Sequence, residues 1–422
     1  MRLLYSLAWI LVLPLALLHL LWRARKQPDY LRHWPERLGW LPAWNGGPRI
    51  WIHAVSVGET RAAAPLITAW REQHPEVAIL LTHTTPTGRE TGRNLFASCG
   101  AGIIEQAYLP YDFPPFIWLF LHRARPGMGV IMETEVWPNL FAACRKHSVP
   151  LFLVNARLSD RSARGYARFR GLACPALQSL AGIAAQTVDD AGRFSGLGAA
   201  SPRVTGNLKF DVSAPADTEA RTQSLRRQFS GHFVWLAAST REGEEAALLD
   251  LFSQLDLPDA LLVLVPRHPQ RFDEVARLIG ERGLSWVRRS EQPDNPLPEK
   301  TRVYLGDSMG ELAAYYAAAD VAYIGGSLLP FGGQNLIEAA AASCPALIGP
   351  HTWNFNEAAE QAVATGAARR VQDADALLSV LRELHADRQT LTAMASAGRD
   401  FALRNRGATQ RTLELLESAW RR

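Results

Sequence analysis

The sequence predicts an α/β protein with two successive doubly wound, Rossmann-like domains behind one apolar helix. Three observations carry this reading. From residue 50 onward short apolar runs alternate with helical patterns, the signature of parallel strands with helices on both faces. The alternation breaks once, over the polar, Pro215-bearing stretch 206–230, and then resumes. The 422 residues, 48% hydrophobic and 20% charged, are globular in composition and too many for one ordinary core.

Taken in order, residues 3–22 (LLYSLAWILVLPLALLHLLW) carry no charge. At about 1.5 Å per residue they reach one hydrocarbon thickness. Arg23, Arg25 and Lys26 follow at once and no small-residue cleavage site does. An uncleaved anchor, with the bulk of the chain on the positive, cytoplasmic side of the cell inner membrane, fits better than a signal peptide. Pro14 and His19 interrupt a straight spanning helix, so spanning and shallow insertion both stay open.

Expected strands of the first domain are 50–56, 77–83, 128–132, 150–155 and 182–186, and helical patterns lie between them. Those of the second are 233–239, 261–266, 285–289, 302–306, 321–326 and 345–349. The expected organisation is an anchor at 1–26, an N-terminal domain at 27–207, a linker at 208–230 and a C-terminal domain at 231–422, whose last helices can return to the first domain. The four cysteines (Cys99, Cys144, Cys174, Cys344) form no C-x-x-C pair, which argues against a disulfide framework or a zinc site. The net charge is +4, and of the 45 basic residues four are lysines, at 26, 146, 209 and 300. Either an arginine-biased genome or a use for planar forks on phosphate and carboxylate accounts for that.

Ligands of doubly wound sheets sit outside the carboxyl ends of the strands. A ligand is therefore expected in the cleft between the domains, and every loop after a strand is a candidate. WIHAVSVGET (51–60) ends a strand at Ser56 and Gly58 and then presents Glu59 at a helix start, where the dipole should favour its ionised form. Gly58 would let the chain turn closely beneath a substrate. IMETEVWPNL (131–140) places Glu133 and Glu135 at another strand end, NARLSDRS (155–162) brings Arg157, and TGNLKFD (205–211) brings Lys209. Solvated loop residues are the plain alternative for each.

In the second half, GGSLLPFGGQNLIE (325–338) is the richest stretch. Gly326, Ser327 and Gly333 allow close backbone approach, Asn335 opens a helix, and Glu338 could accept from ribose hydroxyls; an ordinary strand–turn–helix with an Asn cap is the alternative. VPRHPQRF (265–272) offers Pro266, Arg267 and His268 as a phosphate clamp. GDSMGEL (306–312) reads as a helix start with Ser308 as cap and Glu311 as its capping-box partner, leaving Gly310 unexplained. There is no G-x-x-x-x-G-K-[ST], no G-x-S-x-G and no H-E-x-x-H. The only D-x-D, Asp373-Ala374-Asp375, suits a helix start, and no basic–aromatic pattern suggests nucleic acid.

HAVSVGE, METEVWPN, TGNLKFD, PRHPQRF, GDSMGEL and GGSLLPFGGQNLIEAAAASCPALIGPHTWNF together resemble the Kdo transferase family, the 3-deoxy-D-manno-octulosonic acid transferases of lipopolysaccharide assembly. The resemblance runs in order from the anchor to the last helix. It implies a GT-B glycosyltransferase that takes Kdo from CMP-Kdo to a lipid A precursor, lipid IVA, by an inverting, metal-independent displacement. It also implies no cofactor. It places the general base at Glu59 and transition-state support at Glu133 and Lys209. Donor contacts fall at Pro266, Arg267 and His268, at Met309, Gly310 and Glu311, and at Asn335, Leu336, Ile337 and Glu338. The family's GGHN is Gly332-Gly333-Gln334-Asn335 here, which leaves the role of Gln334 open. A GT-B enzyme using another nucleotide sugar on a lipid carrier is the competing enzyme reading, and a membrane-tethered nucleotide-sugar binding protein the non-enzymatic one.

Overall fold

The computed structural model describes residues 1–99, 102–292 and 295–420, so the last two residues of the expected second domain lie outside the described ones. The chain divides into two compact units. One consists of Met1–Val212 with Asn405–Arg422, the other of Ser213–Arg404.

The first unit is built on a wholly parallel sheet of β1 (Arg49–His53), β2 (Ala78–His83), β3 (Ile104–Tyr108), β4 (Met128–Met132), β5 (Leu151–Ala156), β6 (Gly182–Ala185) and β7 (Arg203–Val204). The order is β3-β2-β1-β4-β5-β6-β7. Ile50, Ile52, Ile79, Leu81 and Val130 face the helix Val57–Gln73, burying Leu66, Ile67 and Trp70. Trp51, Leu80, Ile131 and Leu153 face the other way, onto Phe120, Leu140 and Phe141. Burial on both sides is why these strands read as apolar runs. The strand order reverses between β1 and β4, the switch point where doubly wound sheets bind ligands. The β5–β6 register shifts between Leu153 and Ala156, so Val154 and Asn155 form a bulge.

Two helices from the chain's ends complete this unit. The last one, Ala408–Trp420, buries Leu413 and Leu416 in the core, and Trp420 meets Trp70 edge-on at 5.4 Å. The N-terminal helix, Arg2–Lys26, docks through Ser6, whose hydroxyl donates to Asn139 Oδ1 at 2.9 Å, and through Trp9, whose ring lies 6.0 Å from Tyr111. Leu3, Leu4, Leu7, Leu11, Leu15 and Leu18 are exposed.

The second unit repeats the plan with β8 (Phe233–Thr240), β9 (Ala260–Pro266), β10 (Trp286–Arg288), β11 (Val303–Leu305), β12 (Val321–Ile324), β13 (Ala346–Ile348) and β14 (Ala368–Arg370). Its order is β10-β11-β9-β8-β12-β13-β14, again all parallel, with the reversal between β8 and β12. The strands β3, β7 and β14 were not expected from sequence. Residues 208–230 hold a 3₁₀ turn, Leu208–Asp211, and a helix, Thr218–Gln228.

Candidate functional site

In the first unit, three of the predicted residues converge at the β1/β4 switch point. Glu59 is the third residue of the helix that follows β1, and its Oε2 accepts the Val55 N–H at 2.6 Å. Partial burial, then the nearby charges of Glu133 and Glu135, push its pKa up to about 8, against the lowering by Val55 and Lys209. The helix dipole, expected to favour the ionised form, is outweighed by desolvation.

Glu133 directly follows β4 in a left-handed conformation, φ 59°. Its N–H donates to the Val154 carbonyl at 2.9 Å, and its carboxylate receives Lys209 Nζ at 2.8 Å. Glu135, two residues on, is also raised by burial and by Glu133. Lys209 is placed by backbone anchors on both sides. Asn207 Oδ1 accepts the Lys209 N–H at 3.0 Å, and Asn155 Oδ1 accepts the Leu208 N–H at 3.0 Å. Asp211 accepts the N–H groups of Gly407 and Thr409 at 2.8 and 2.6 Å, tying the same turn to the last helix. The result is a carboxylic acid poised near neutral pH beside an ion pair. This is a constellation suited to moving a proton while charge develops next to it.

Other predicted residues of this unit have different surroundings. A Cβ at Gly58 would have only the Ser56 hydroxyl within 4.0 Å, and its φ is not left-handed. Gly58 sits inside an ordinary first helical turn, with open space where a side chain would stand. Ser56 is the N-cap but makes no side-chain cap bond. Arg157 offers its carbonyl to the Thr134 hydroxyl.

In the second unit the predicted donor loops gather at the carboxyl ends of β8, β9, β11 and β12. Pro266 ends β9, and the Arg267 N–H donates to the Thr240 carbonyl at 3.0 Å. His268 is exposed, with Nε2 3.1 Å from Arg241 Nη1. Partial burial, then Arg241, Arg267 and Arg271, lower its pKa. Among the described residues no carboxylate pairs with the Arg241 guanidinium, while the neighbouring Arg271 is paired with Glu245 and Glu274. Arg241 follows β8 directly, and the strand-end rule applied to LAASTREG would have found it.

Glu311 differs from its predicted place. The helix begins at Leu312 with Glu311 as N-cap, and its carboxylate is held by Arg289 at 2.9 and 3.1 Å and by Arg221 at 2.8 Å. Burial opposes ionisation, but the Arg289, Ser308 and Arg221 bonds keep it below the usual range. The capping box with Ser308 is corrected accordingly. Glu311 anchors the loop, leaving Met309 exposed and Gly310 at φ 82° to face solvent.

In the glycine-rich stretch, Gly326 N–H donates to Glu244 Oε2 at 2.6 Å, and Gly333 N–H to the Gly326 carbonyl at 2.7 Å. Ser327 is wholly buried and accepts the Gly349 N–H at 2.9 Å, which ties β12 to β13. A Cβ at Gly326 would come within 3.3 Å of the Arg241 and Gln334 side chains and of Phe331, and its φ of 70° favours glycine there. Asn335 Oδ1 accepts the Ile337 N–H at 3.1 Å while its amide donates to Glu338 Oε1 at 2.9 Å. Asn335 thus caps from one position earlier than predicted, on a helix (Ile337–Ala341) of only five residues. Leu336 and Ile337 are buried, so only their backbone can meet a ligand.

A family model described as 3-deoxy-D-manno-octulosonic-acid transferase (kdotransferase) matches residues 32–212. The chain is 46% identical over 374 residues to a 3-deoxy-D-manno-octulosonic acid transferase of Bordetella pertussis, covering 87% of this chain and 86% of that one. It is 36% identical over 425 residues to the protein of that name from Haemophilus influenzae, covering 99% and 98%. Among solved structures, UDP-GlcNAc 2-epimerase from Neisseria meningitidis superposes with a TM-score of 0.60 at 14% identity, covering 88% of this chain and 100% of that one. That likeness concerns the two-domain α/β fold.

Proposed function

The chain belongs to the 3-deoxy-D-manno-octulosonic acid transferase family and is a Kdo-transferring glycosyltransferase; from that premise we propose that it moves Kdo from CMP-Kdo onto lipid IVA by one inverting displacement without a metal. The observation that carries this is the Glu59–Glu133–Lys209 arrangement, with the Glu59 pKa lifted to about 8. An acceptor hydroxyl attacks the anomeric carbon of Kdo, Glu59 takes the hydroxyl proton, and the bond to the CMP phosphate breaks. A carboxylate of ordinary acidity is a poor base for a hydroxyl; one lifted toward the working pH is far better matched. Lys209, held by Glu133, supplies a fixed cation for charge that appears in the transition state. Arg241, Arg267 and His268 form the positive corner that suits the donor's anionic groups and the departing phosphate.

The apolar side of the N-terminal helix supports attachment to the inner membrane, with both units on the cytoplasmic side, where a lipid acceptor is within reach. The test is incubation with CMP-Kdo and lipid IVA, followed by mass spectrometry of the lipid. Mass gains of one or more Kdo units are expected. Glu59→Gln is expected to lose roughly 10²–10⁴-fold in turnover while keeping its fold, since the amide oxygen still accepts from Val55. Turnover with UDP-sugars and none with CMP-Kdo would overturn the donor assignment.

A further inference from the structure

Lys209 lies on a 3₁₀ turn of four residues, Leu208–Asp211, outside the sheet that carries Glu133. Its distance from Glu133 must therefore be set by whatever joins that turn to the sheet. The β5 segment Val154–Asn155 reaches both partners. The Val154 carbonyl accepts the Glu133 N–H at 2.9 Å, and the next residue, Asn155, accepts the Leu208 N–H on its side-chain oxygen at 3.0 Å. Two consecutive residues of one strand thus hold the two ends of one ion pair.

Asn155 is unusual in three independent respects. It sits where the β5–β6 register slips, and bulges of this kind re-aim side chains. Its φ is 51°, the left-handed region that asparagine tolerates better than other non-glycine residues. It is wholly buried, yet its Nδ2 has no hydrogen-bond partner. A leucine or glycine there would avoid the orphaned amide. The residue's one satisfied side-chain atom is the oxygen on Leu208, while its carbonyl accepts Gln186 Nε2 at 2.9 Å. Backbone outliers and unsatisfied buried groups of this kind persist where function over-determines them.

We propose that Asn155 is the positioning residue of the transfer site: its side-chain oxygen, aimed by the β5 bulge, holds the Leu208–Asp211 turn so that Lys209 stays on Glu133. This rests on the reading that Glu59, Glu133 and Lys209 serve Kdo transfer. Without that oxygen the turn keeps the buried Leu208 and the Asp211 bonds to the last helix but loses its hydrogen bond to the sheet, so Lys209 shifts on Glu133 and compensates its carboxylate less well. Asn155 touches no reacting atom and acts through Lys209 alone.

The test is a double-mutant cycle in the full chain, Asn155→Gly against Lys209→Ala, read by kcat with CMP-Kdo and lipid IVA. Glycine keeps the left-handed backbone and removes the whole side chain, whose one bonded atom is the oxygen. It should lower kcat on the order of 10–100-fold with donor KM unchanged, and should have no further effect once Lys209 is alanine. A second readout needs no activity: the Glu59 titration, followed by carbon NMR of labelled glutamate and assigned against Glu59→Gln. It should move upward in Asn155→Gly and not move further in the double variant. Asn155→Asp, kept protonated by burial, retains the acceptor and should recover most of the turnover lost with glycine. If the glycine variant does not fold, Asp carries the test, and a loss there that persists in Lys209→Ala sinks the idea. Additive losses in the cycle, an unmoved Glu59 titration, or equal losses in the Gly and Asp variants overturn the proposal. A wild-type chain that transfers no Kdo but still shows the coupled titration would instead retire the transfer reading and leave the positioning role standing.

Discussion

Under the proposed mechanism the ionisation of Glu59 sets the rate, and it is opposed by burial first and by Glu133 second. The rate should therefore climb with pH through about 8 as the base ionises. Glu133→Gln removes the second cause and leaves the Lys209 cation, so the climbing limb of kcat/KM should shift to lower pH even as kcat falls; an upward shift would contradict this assignment of causes. The same group has a signature in stability. The folded chain keeps the Glu59 proton up to about 8, whereas the unfolded chain releases it near 4.5, so folding takes up a proton between those values. That contribution is complete below 4.5 and is lost as pH rises through 8. Asp112, capping Asn139 and Leu140 and raised by burial to about 7, works in the same direction. Glu59→Gln has nothing to ionise there and should melt a few degrees above wild type at pH 9, but level with it near pH 4, in calorimetry at both values. Glu59, Glu133 and Lys209 were legible in the sequence because each follows a strand or lies near the domain break. The pKa was not legible, since it depends on which charges the fold brings near, and neither was Asn155, whose role comes from a bulge.

At the level of elements, the strands found from sequence are, apart from the half-exposed edge strand β10, those packed on both faces, where burial forces long apolar runs. β3 (IEQAY) is an edge strand with polar residues, β7 has two residues, and β14 (ARR) has three at the far edge, so none leaves an apolar run to detect. The N-terminal helix was read from composition alone, and the structure adds its docking. A helix bonded through Ser6 to Asn139 and packed through Trp9 on Tyr111 would carry polar groups of the folded unit into hydrocarbon if it spanned the bilayer. The helix should therefore lie in the interfacial plane with its exposed leucines in lipid. Leu7→Asp with Leu11→Asp removes two exposed apolar side chains, about 3–6 kcal/mol of insertion. The doubly substituted enzyme should move from the membrane pellet to the soluble fraction with an unchanged circular dichroism spectrum; persistence in the pellet after carbonate washing would favour a spanning helix. At the other end, Asp211→Ala strips the two N–H acceptors from the start of the last helix. It should cost about 1–2 kcal/mol, visible as a lower urea midpoint, and should lower kcat because Lys209 is two residues away.

For the whole molecule, the chain leaves the first unit at Val212 and returns to it at Asn405, so the unit is completed only when the second has been made. The returning helix buries Leu413, Leu415 and Leu416 and sets Trp420 against Trp70. The three leucines alone account for roughly 5–9 kcal/mol of burial, which is comparable with the whole stability of an ordinary domain, about 5–15 kcal/mol. A fragment ending at Val212 should therefore lack a cooperative unfolding transition, even though it contains the entire β1–β7 sheet and every residue of the proposed base site. Joining residues 405–420 to it through a flexible linker should restore the transition and, with it, the upward-shifted Glu59 titration. Residues 213–404 hold their own buried core around Trp235, Leu262 and Tyr323 and should fold alone, with a melting transition that CMP raises through the Arg241–Arg267–His268 corner and that Arg241→Ala makes less responsive to CMP. A fragment 1–212 that melts cooperatively would show that the last helix is an accessory. Failure of the fused helix to rescue it would locate the missing stability elsewhere in the chain.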